Sequence, residues 1–250
     1  MKMKSWQRYG CLMLLFVMWL LPAMVSAEER KDEWKQSAYS FESMKMVFVD
    51  IVFDQNAQVD ELKRLVLTDK VQGVFSQNLD FAQAGLSFWG QDELVKRLSS
   101  TSGEDVAGVA LTDPERYAKL VKDGAAFYCQ GILEVRFKRY QDTVRYIPER
   151  VETYQTEKKV RMNKTVTASN GQTVTVDEWV TVPVTESRVV PAHDETTSHT
   201  AVELTLIDTK SGKPVWKMVD SRDAVGKDKD GMIDRILKRA ADRLEKVKKS

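Results

Sequence analysis

The chain has 250 residues, 30% of them charged and 42% hydrophobic, with a formal net charge of +1. Acidic and basic residues are interspersed, which excludes the basic field of a nucleic-acid-binding protein and implies no long-range steering. Two cysteines in the whole chain exclude a disulfide-rich extracellular scaffold.

The first 27 residues read as a targeting segment. Lys2, Lys4 and Arg8 form a basic start, Cys11 to Leu21 is apolar, Pro22 breaks the run, and Val25-Ser26-Ala27 offers small residues for cleavage after Ala27. The alternative, a retained anchor, asks for about 20 apolar residues, and this run is shorter. Cys11 begins the apolar run, whereas a lipid-anchor cysteine ends one. The expected product is periplasmic or secreted, with Cys129 as its one cysteine. An exported chain of single-domain length without an internal disulfide fits a bacterial envelope protein held by an ordinary core.

Residues 28–43 are charged and turn-like, and are expected as a leader. Met44 to Phe53 reads as a central strand apolar on both faces: Val47, Val49, Ile51 and Phe53 on one, Met46, Phe48 and Val52 on the other. Asp50 interrupts the second face. A helix is expected over Val59 to Leu79, its face formed by Val59, Leu62, Leu65, Val66, Val71, Val74, Phe75 and Leu79, with a restart at Thr68-Asp69. A short apolar piece at 86–89, a helix over 92–98 and a loop over 99–108 follow. Asp113 to Lys122 reads as a helix with Thr112 and Glu115 at capping-box spacing, Pro114 in the first turn and Gly124 as C′ residue. Ala125 to Tyr140 alternates apolar and polar residues as a half-buried strand with Cys129 on its core side.

The segment at about 142–191 is rich in Val, Thr and charged residues. Asn170-Gly171 signals a two-residue hairpin turn, which would set Met162 opposite Trp179 and Lys164 opposite Asp177. That register leaves Val174, Val176, Val180 and Val182 sharing a face with Lys159, Arg161 and Thr165, so a bulge or a shift remains open. Thr200 to Asp220 forms a second hairpin turning at Asp208 to Lys213, its first strand burying Thr200, Val202, Leu204 and Leu206. The last element is an amphipathic helix over Gly231 to about Val247, capped by Asp230, with Ile233, Ile236, Leu237, Ala240, Leu244 and Val247 as its stripe. The fold class expected is α+β: a mixed, mainly antiparallel sheet packed with helices over residues 44–250, with a long protruding hairpin and a C-terminal amphipathic helix.

No residue is assigned a catalytic, cofactor-binding or metal-binding role. His193 and His199, with Asp194 and Glu195, match no zinc spacing and read as a solvated loop. Asp228, Asp230, Gly231 and Asp234 fail as a calcium loop, because Gly226 and Leu237 fall where acidic ligands belong. Phosphate-loop, dinucleotide and nucleophile-elbow signatures are absent from the sequence. Asn163-Lys164-Thr165 is a glycosylation sequon by pattern only. Trp34, Trp89, Trp179 and Trp216 offer stacking surfaces, though Trp216 reads as core.

The order of elements carries a resemblance. Asp113 to Tyr117, the stretch GAAFYCQGILEV (124–135) and AVELTLIDTKSGKPVW (201–216), closed by a terminal helix, resemble the α/β domain of bacterial envelope proteins such as the TolB N-terminal domain and the curli-secretion protein CsgG. The resemblance covers roughly 44–140 and 200–248 and implies the fold, with no site residues. It departs from that pattern in lacking a lipid-anchor cysteine and in the long polar insertion.

The function expected is non-catalytic: binding or assembly with a protein partner, or self-association, through the 142–191 ribbon, with no cofactor, no nucleic acid and no predicted membrane contact. An alternative makes the chain a subunit of an oligomeric pore or secretion assembly, using the hairpin as a membrane element. A third reading is an enzyme built on a carboxylate pair such as Asp50 and Asp208.

Overall fold

The computed structural model describes residues 29–167, 169 and 171–249; the expected signal peptide over 1–27 lies outside them. In chain order come β1 (Glu29–Lys35), β2 (Met46–Phe53), α1 (Glu61–Ser76), α2 (Leu79–Gln83), β3 (Ser87–Trp89), α3 (Gln91–Ser102), α4 (Val106–Thr112) and α5 (Pro114–Tyr128). Then follow β4 (Gly131–Ile147), β5 (Arg150–Thr167), β6 (Thr173–Val190), β7 (His193–Asp208), β8 (Pro214–Val225) and α6 (Lys229–Lys249). The chain divides into two compact units, a body of residues up to 143 and from 196 onward, and a ribbon of residues 144–195.

The body holds a six-stranded sheet in the order β1-β8-β7-β4-β2-β3. β2 runs parallel to β3 and β4, and β7 and β1 run antiparallel to β8. Side chains of Lys138 and Glu203 meet, as do those of Thr143 and His199, so β4 and β7 also run in opposite directions. The fold is the mixed, largely antiparallel α+β arrangement that the pattern of elements implies.

One sheet face carries the larger core. Val47, Val49, Leu133, Val135, Phe137, Val202, Leu204, Leu206, Trp216 and Met218 are buried there. α6 covers it with Ile233, Ile236, Leu237, Ala240, Leu244 and Val247, all buried; each such isoleucine, leucine or valine side chain contributes about 1.5–3 kcal/mol. On the same face Asp220, fully buried, accepts hydrogen bonds from Arg222 Nε (2.9 Å) and Nη2 (3.0 Å) and from Arg239 Nη1 of α6 (2.9 Å). Lys248, near the end of α6, donates to the carbonyls of Phe41 (2.8 Å), Glu42 (3.0 Å) and Met44 (2.8 Å). The opposite face is covered over β2 and β4 by α3 and α5, through Phe48, Leu94, Ala125 and Cys129.

Several expectations change. The leader contains a strand: β1 pairs with β8, and Glu33 accepts from the Trp216 indole (3.0 Å). A charged edge strand lacks the apolar alternation that marks a buried one. α1 is unbroken at Thr68-Asp69, is capped by Asp60 accepting from the Lys63 amide (2.7 Å), and buries Leu67, Val71 and Phe75. Leu62, Leu65, Val66 and Leu79 are exposed instead. The expected loop over 99–108 is mostly helix, at the end of α3 and the start of α4. α5 is capped by Asp113, not Thr112, and runs on to Tyr128. Gly124 lies inside it because α5 presses against α3: a Cβ there would stand 2.7 Å from Leu98 Cδ2. The strand expected from Ala125 therefore begins at Gly131. Asp228, not Asp230, caps α6, accepting from the Asp230 (3.2 Å) and Gly231 (2.9 Å) amides.

The ribbon is a two-stranded antiparallel sheet of β5 and β6, each of 18 residues, or about 60 Å of extended chain. Its register is one residue away from the two-residue turn: Val160 pairs with Val180, Arg161 with Trp179 and Lys164 with Val176. The closing pair is Thr167 with Thr173, so an odd number of residues lies between, and Gly171 takes φ +81°. Glycine adopts that left-handed conformation without the steric cost a Cβ would bring.

Candidate functional site

In the body, a cavity of about 530 Å³ opens between β2, β4 and α5. Parallel pairing puts Asp50 of β2 directly opposite Glu134 of β4. A period of two along both strands carries them to the face under α5, beside Phe48 and Ile132, with Val121, Tyr117 and Lys122 of α5 across from them. Glu134 is held by Arg136 (2.9 Å), which also grips Asp54 (2.9 Å). Among the described residues no side chain donates a hydrogen bond to Asp50, and Lys122 pairs with neither carboxylate. Gln91 donates to the Tyr117 hydroxyl at the cavity wall (2.8 Å). Burial, and then the Glu134 charge, push the Asp50 carboxyl above the ordinary carboxylate range, against the pull of Arg136 and the Ile51 amide. Two adjacent carboxylates set in an apolar floor attract a proton or an external cation.

Asp208 does not join this pair. It is a turn residue: Oδ2 accepts from the Ser211 amide (2.8 Å) and hydroxyl (2.7 Å), and Oδ1 from the Tyr39 hydroxyl (3.0 Å). Burial works against its charge, yet these donors hold its carboxyl below the usual range. Asp50 pairs with Glu134, which sequence reading left as an ordinary outward polar residue. The available signal was Asp50 alone, a carboxylate in an otherwise apolar strand face (Met46, Phe48, Val52), because Glu134 shares its face with Arg136 and Lys138. The parallel register that joins them is a tertiary fact.

The other singled-out residues have structural partners. Cys129 is buried, and burial pushes its thiol up to about 12, far from a reactive thiolate. The stretch from His193 is strand β7, not a solvated loop. His199 lies between Asp223 Oδ1 (2.8 Å) and Thr143 Oγ1 (2.8 Å), and Arg139 meets the same carboxylate oxygen (2.6 Å). Asp230 accepts from Lys63 (2.7 Å) and from Tyr140 (2.9 Å). Trp216 is fully buried, whereas Trp34 and Trp179 are exposed.

The ribbon presents a different surface. Its register gathers Val160, Val166, Val174, Val176, Val180 and Val182 on one face. A one-residue slip would scatter them across both faces. The opposite face holds Arg161 against Asp177. Further ion pairs, Lys158 with Glu186 and Arg188 with Glu152 (2.9 Å), satisfy charges within the ribbon.

No protein-family model and no curated protein matches the chain. Solved structures to which it is similar include a PelC dodecamer from Paraburkholderia phytofirmans, at 8% identity and TM-score 0.37 over 85% of this chain and 94% of that one. Another is lipoprotein GNA1162 from Neisseria meningitidis, at 10% identity and TM-score 0.34 over 80% of this chain and 96% of that one. Likeness at this level carries no statement about activity or assembly. The resemblance to the TolB N-terminal domain and CsgG is not shown by these comparisons.

Proposed function

We propose that the protein is an exported, non-catalytic component of the bacterial envelope that assembles with further copies of itself through the valine face of the ribbon. The observation behind this reading is the register of β5 and β6. A two-stranded sheet alone is marginally stable in water, and this one leaves Val160, Val166, Val174 and Val176 exposed. The acidic and basic residues of 144–195 balance to within one, and their ion pairs lie within the ribbon. An oppositely charged partner is therefore not called for. An identical apolar face is self-complementary, as a two-fold interface requires.

The membrane-element alternative is weaker on the same geometry. Lys164 and Glu178 lie on the valine face itself, and a lysine facing lipid at the midplane costs about 2–4 kcal/mol. Against a second ribbon Lys164 and Glu178, in the middle of the face, keep each other as partners (3.5 Å).

Light scattering on the chromatographed chain, begun at Glu28, tests the reading. Oligomers are expected for the wild type and monomers for Val176→Lys/Val180→Lys, with unchanged far-ultraviolet circular dichroism. A wild type that is monomeric at micromolar concentration overturns self-assembly. Dye release from anionic vesicles by the wild type would favour the membrane reading, and recovery from the cytoplasmic fraction of cells would defeat the export.

A further inference from the structure

We infer that the cavity over Asp50 and Glu134 is a binding site for a small aliphatic ammonium ion, its charged end on the two carboxylates and its hydrocarbon end against Phe48, Val121 and Ile132. This inference concerns the body alone and does not depend on the ribbon.

The volume, about 530 Å³, lies within the range of small-molecule sites, roughly 300–1,000 Å³. The lining divides by chemistry. The floor holds Asp50 opposite Glu134, and the walls are mainly alkyl and aromatic groups. Such a site fits a ligand with one polar end and one apolar end. The polar end must be positive, because two neighbouring carboxylates repel an anion and leave a neutral group poorly matched. A primary ammonium also fits by donor count. Its three N–H groups match the two carboxylates and a neutral oxygen acceptor such as Tyr117 Oη or Gln91 Oε1, both at the wall.

A divalent metal fits less well. The described residues contain no group of three His, Cys, Asp or Glu able to hold one, and hard cations ask for six or more oxygens. In the empty state burial and the Glu134 charge raise the proton affinity of Asp50, while Arg136 holds Glu134. That state leaves the apolar walls unused. Arg136 already holds Glu134 through Oε1 (2.9 Å), and Lys122 pairs with neither carboxylate, so Asp50 is the floor carboxylate without an ion-pair partner and the one that takes the external cation.

The experiment is a two-dimensional amide NMR titration of the full chain with n-pentylammonium chloride, with 1-pentanol and sodium pentanoate as matched controls. Saturable shifts confined to residues around Asp50, Tyr117, Val121 and Glu134 are expected with the amine alone. Asp50→Asn and Glu134→Gln are each expected to weaken binding by about tenfold or more, as loss of a charge-assisted hydrogen bond implies. Asp50→Asn should keep the wild-type spectrum elsewhere, and Glu134→Gln should shift in addition only residues around Arg136 and Asp54, whose ion pairs it adjoins. Equal response to 1-pentanol, unaltered affinity in both variants, or no saturable shift with the amine overturns the inference. None of these outcomes bears on oligomerisation through the ribbon.

Discussion

Body and ribbon are both rich in strand, yet they are held by different means. In the body every strand of the hairpin β7–β8 sends alternate residues into a core under α6, so that Leu204, Leu206, Trp216 and Met218 are fully buried. In the ribbon neither face is covered within the unit, and of its valines Val174 and Val176 are exposed while Val180 and Val182 are half-buried. Local pattern and tertiary burial agree in the body. In the ribbon the pattern is present and the burial within the unit is missing. The difference teaches that alternation identifies a strand but not the object it faces.

The sharpest contrast comes from removing a charge partner in each unit. Asp220→Ala removes the buried carboxylate that Arg222 and Arg239 share, and breaking such a buried pair costs about 3–5 kcal/mol. Thermal unfolding of the body is expected to fall by roughly 10 °C. The matching ribbon variant, Asp177→Ala, breaks only an exposed pair with Arg161, and its melting curve should stay within about 0.5 kcal/mol of wild type. Similar losses in both would erase the distinction.

Next in size is apolar truncation. Leu237→Ala in α6 removes a fully buried side chain, for an expected loss of about 2–5 kcal/mol by urea denaturation. Val176→Ala in the ribbon should leave the urea midpoint of a monomeric sample almost unmoved while lowering the fraction of oligomer. Gly124→Val tests the contact of α5 with α3. The added methyl groups must displace Leu98, at about 1–3 kcal/mol, read as an earlier urea midpoint.

The smallest effect has the opposite sign. Burial and the Glu134 charge raise the folded-state proton affinity of Asp50, with Arg136 and the Ile51 amide opposing. The folded protein then holds that proton more tightly than the unfolded chain. Ionised Asp50 therefore lowers stability above its folded pKa, and the penalty vanishes as pH falls below the unfolded value. Asp50→Asn should stabilise the protein at pH 7, with the gain shrinking on acidification. A variant less stable than wild type at pH 7 would show that the carboxylate is structural rather than set aside for a ligand.

Much of the body was legible because its signals are periodic. The stripe from Ile233 to Val247 and the face from Thr200 to Leu206 are buried as their spacing demands. What failed has identifiable physical causes. Leu62, Leu65 and Val66 form an apolar stripe on α1 as convincing as the true one, and only the sheet decides that Leu67, Val71 and Phe75 face inward. Gly124 looked like a helix end because close packing and positive φ both call for glycine. The ribbon register was set by an odd-numbered loop at Gly171 that Asn170-Gly171 does not announce. At the cavity, Asp50 was visible as an anomaly, but Glu134 became its neighbour only through parallel pairing of residues 84 apart in the chain.

The ammonium of Lys248 occupies the place of a bridging ion: three carbonyls from residues 41–44 converge on it. Those oxygens belong to the turn leading into β2, the strand that carries Asp50. The last residues of the chain thus act as a clasp on the entry to the cavity strand. Trimming residues 248–250, or acetylating that one amine, would release the turn while leaving every apolar contact of α6 through Val247 in place. Lys248 thereby ties the end of α6 to the turn that leads into the strand beneath the carboxylate pair.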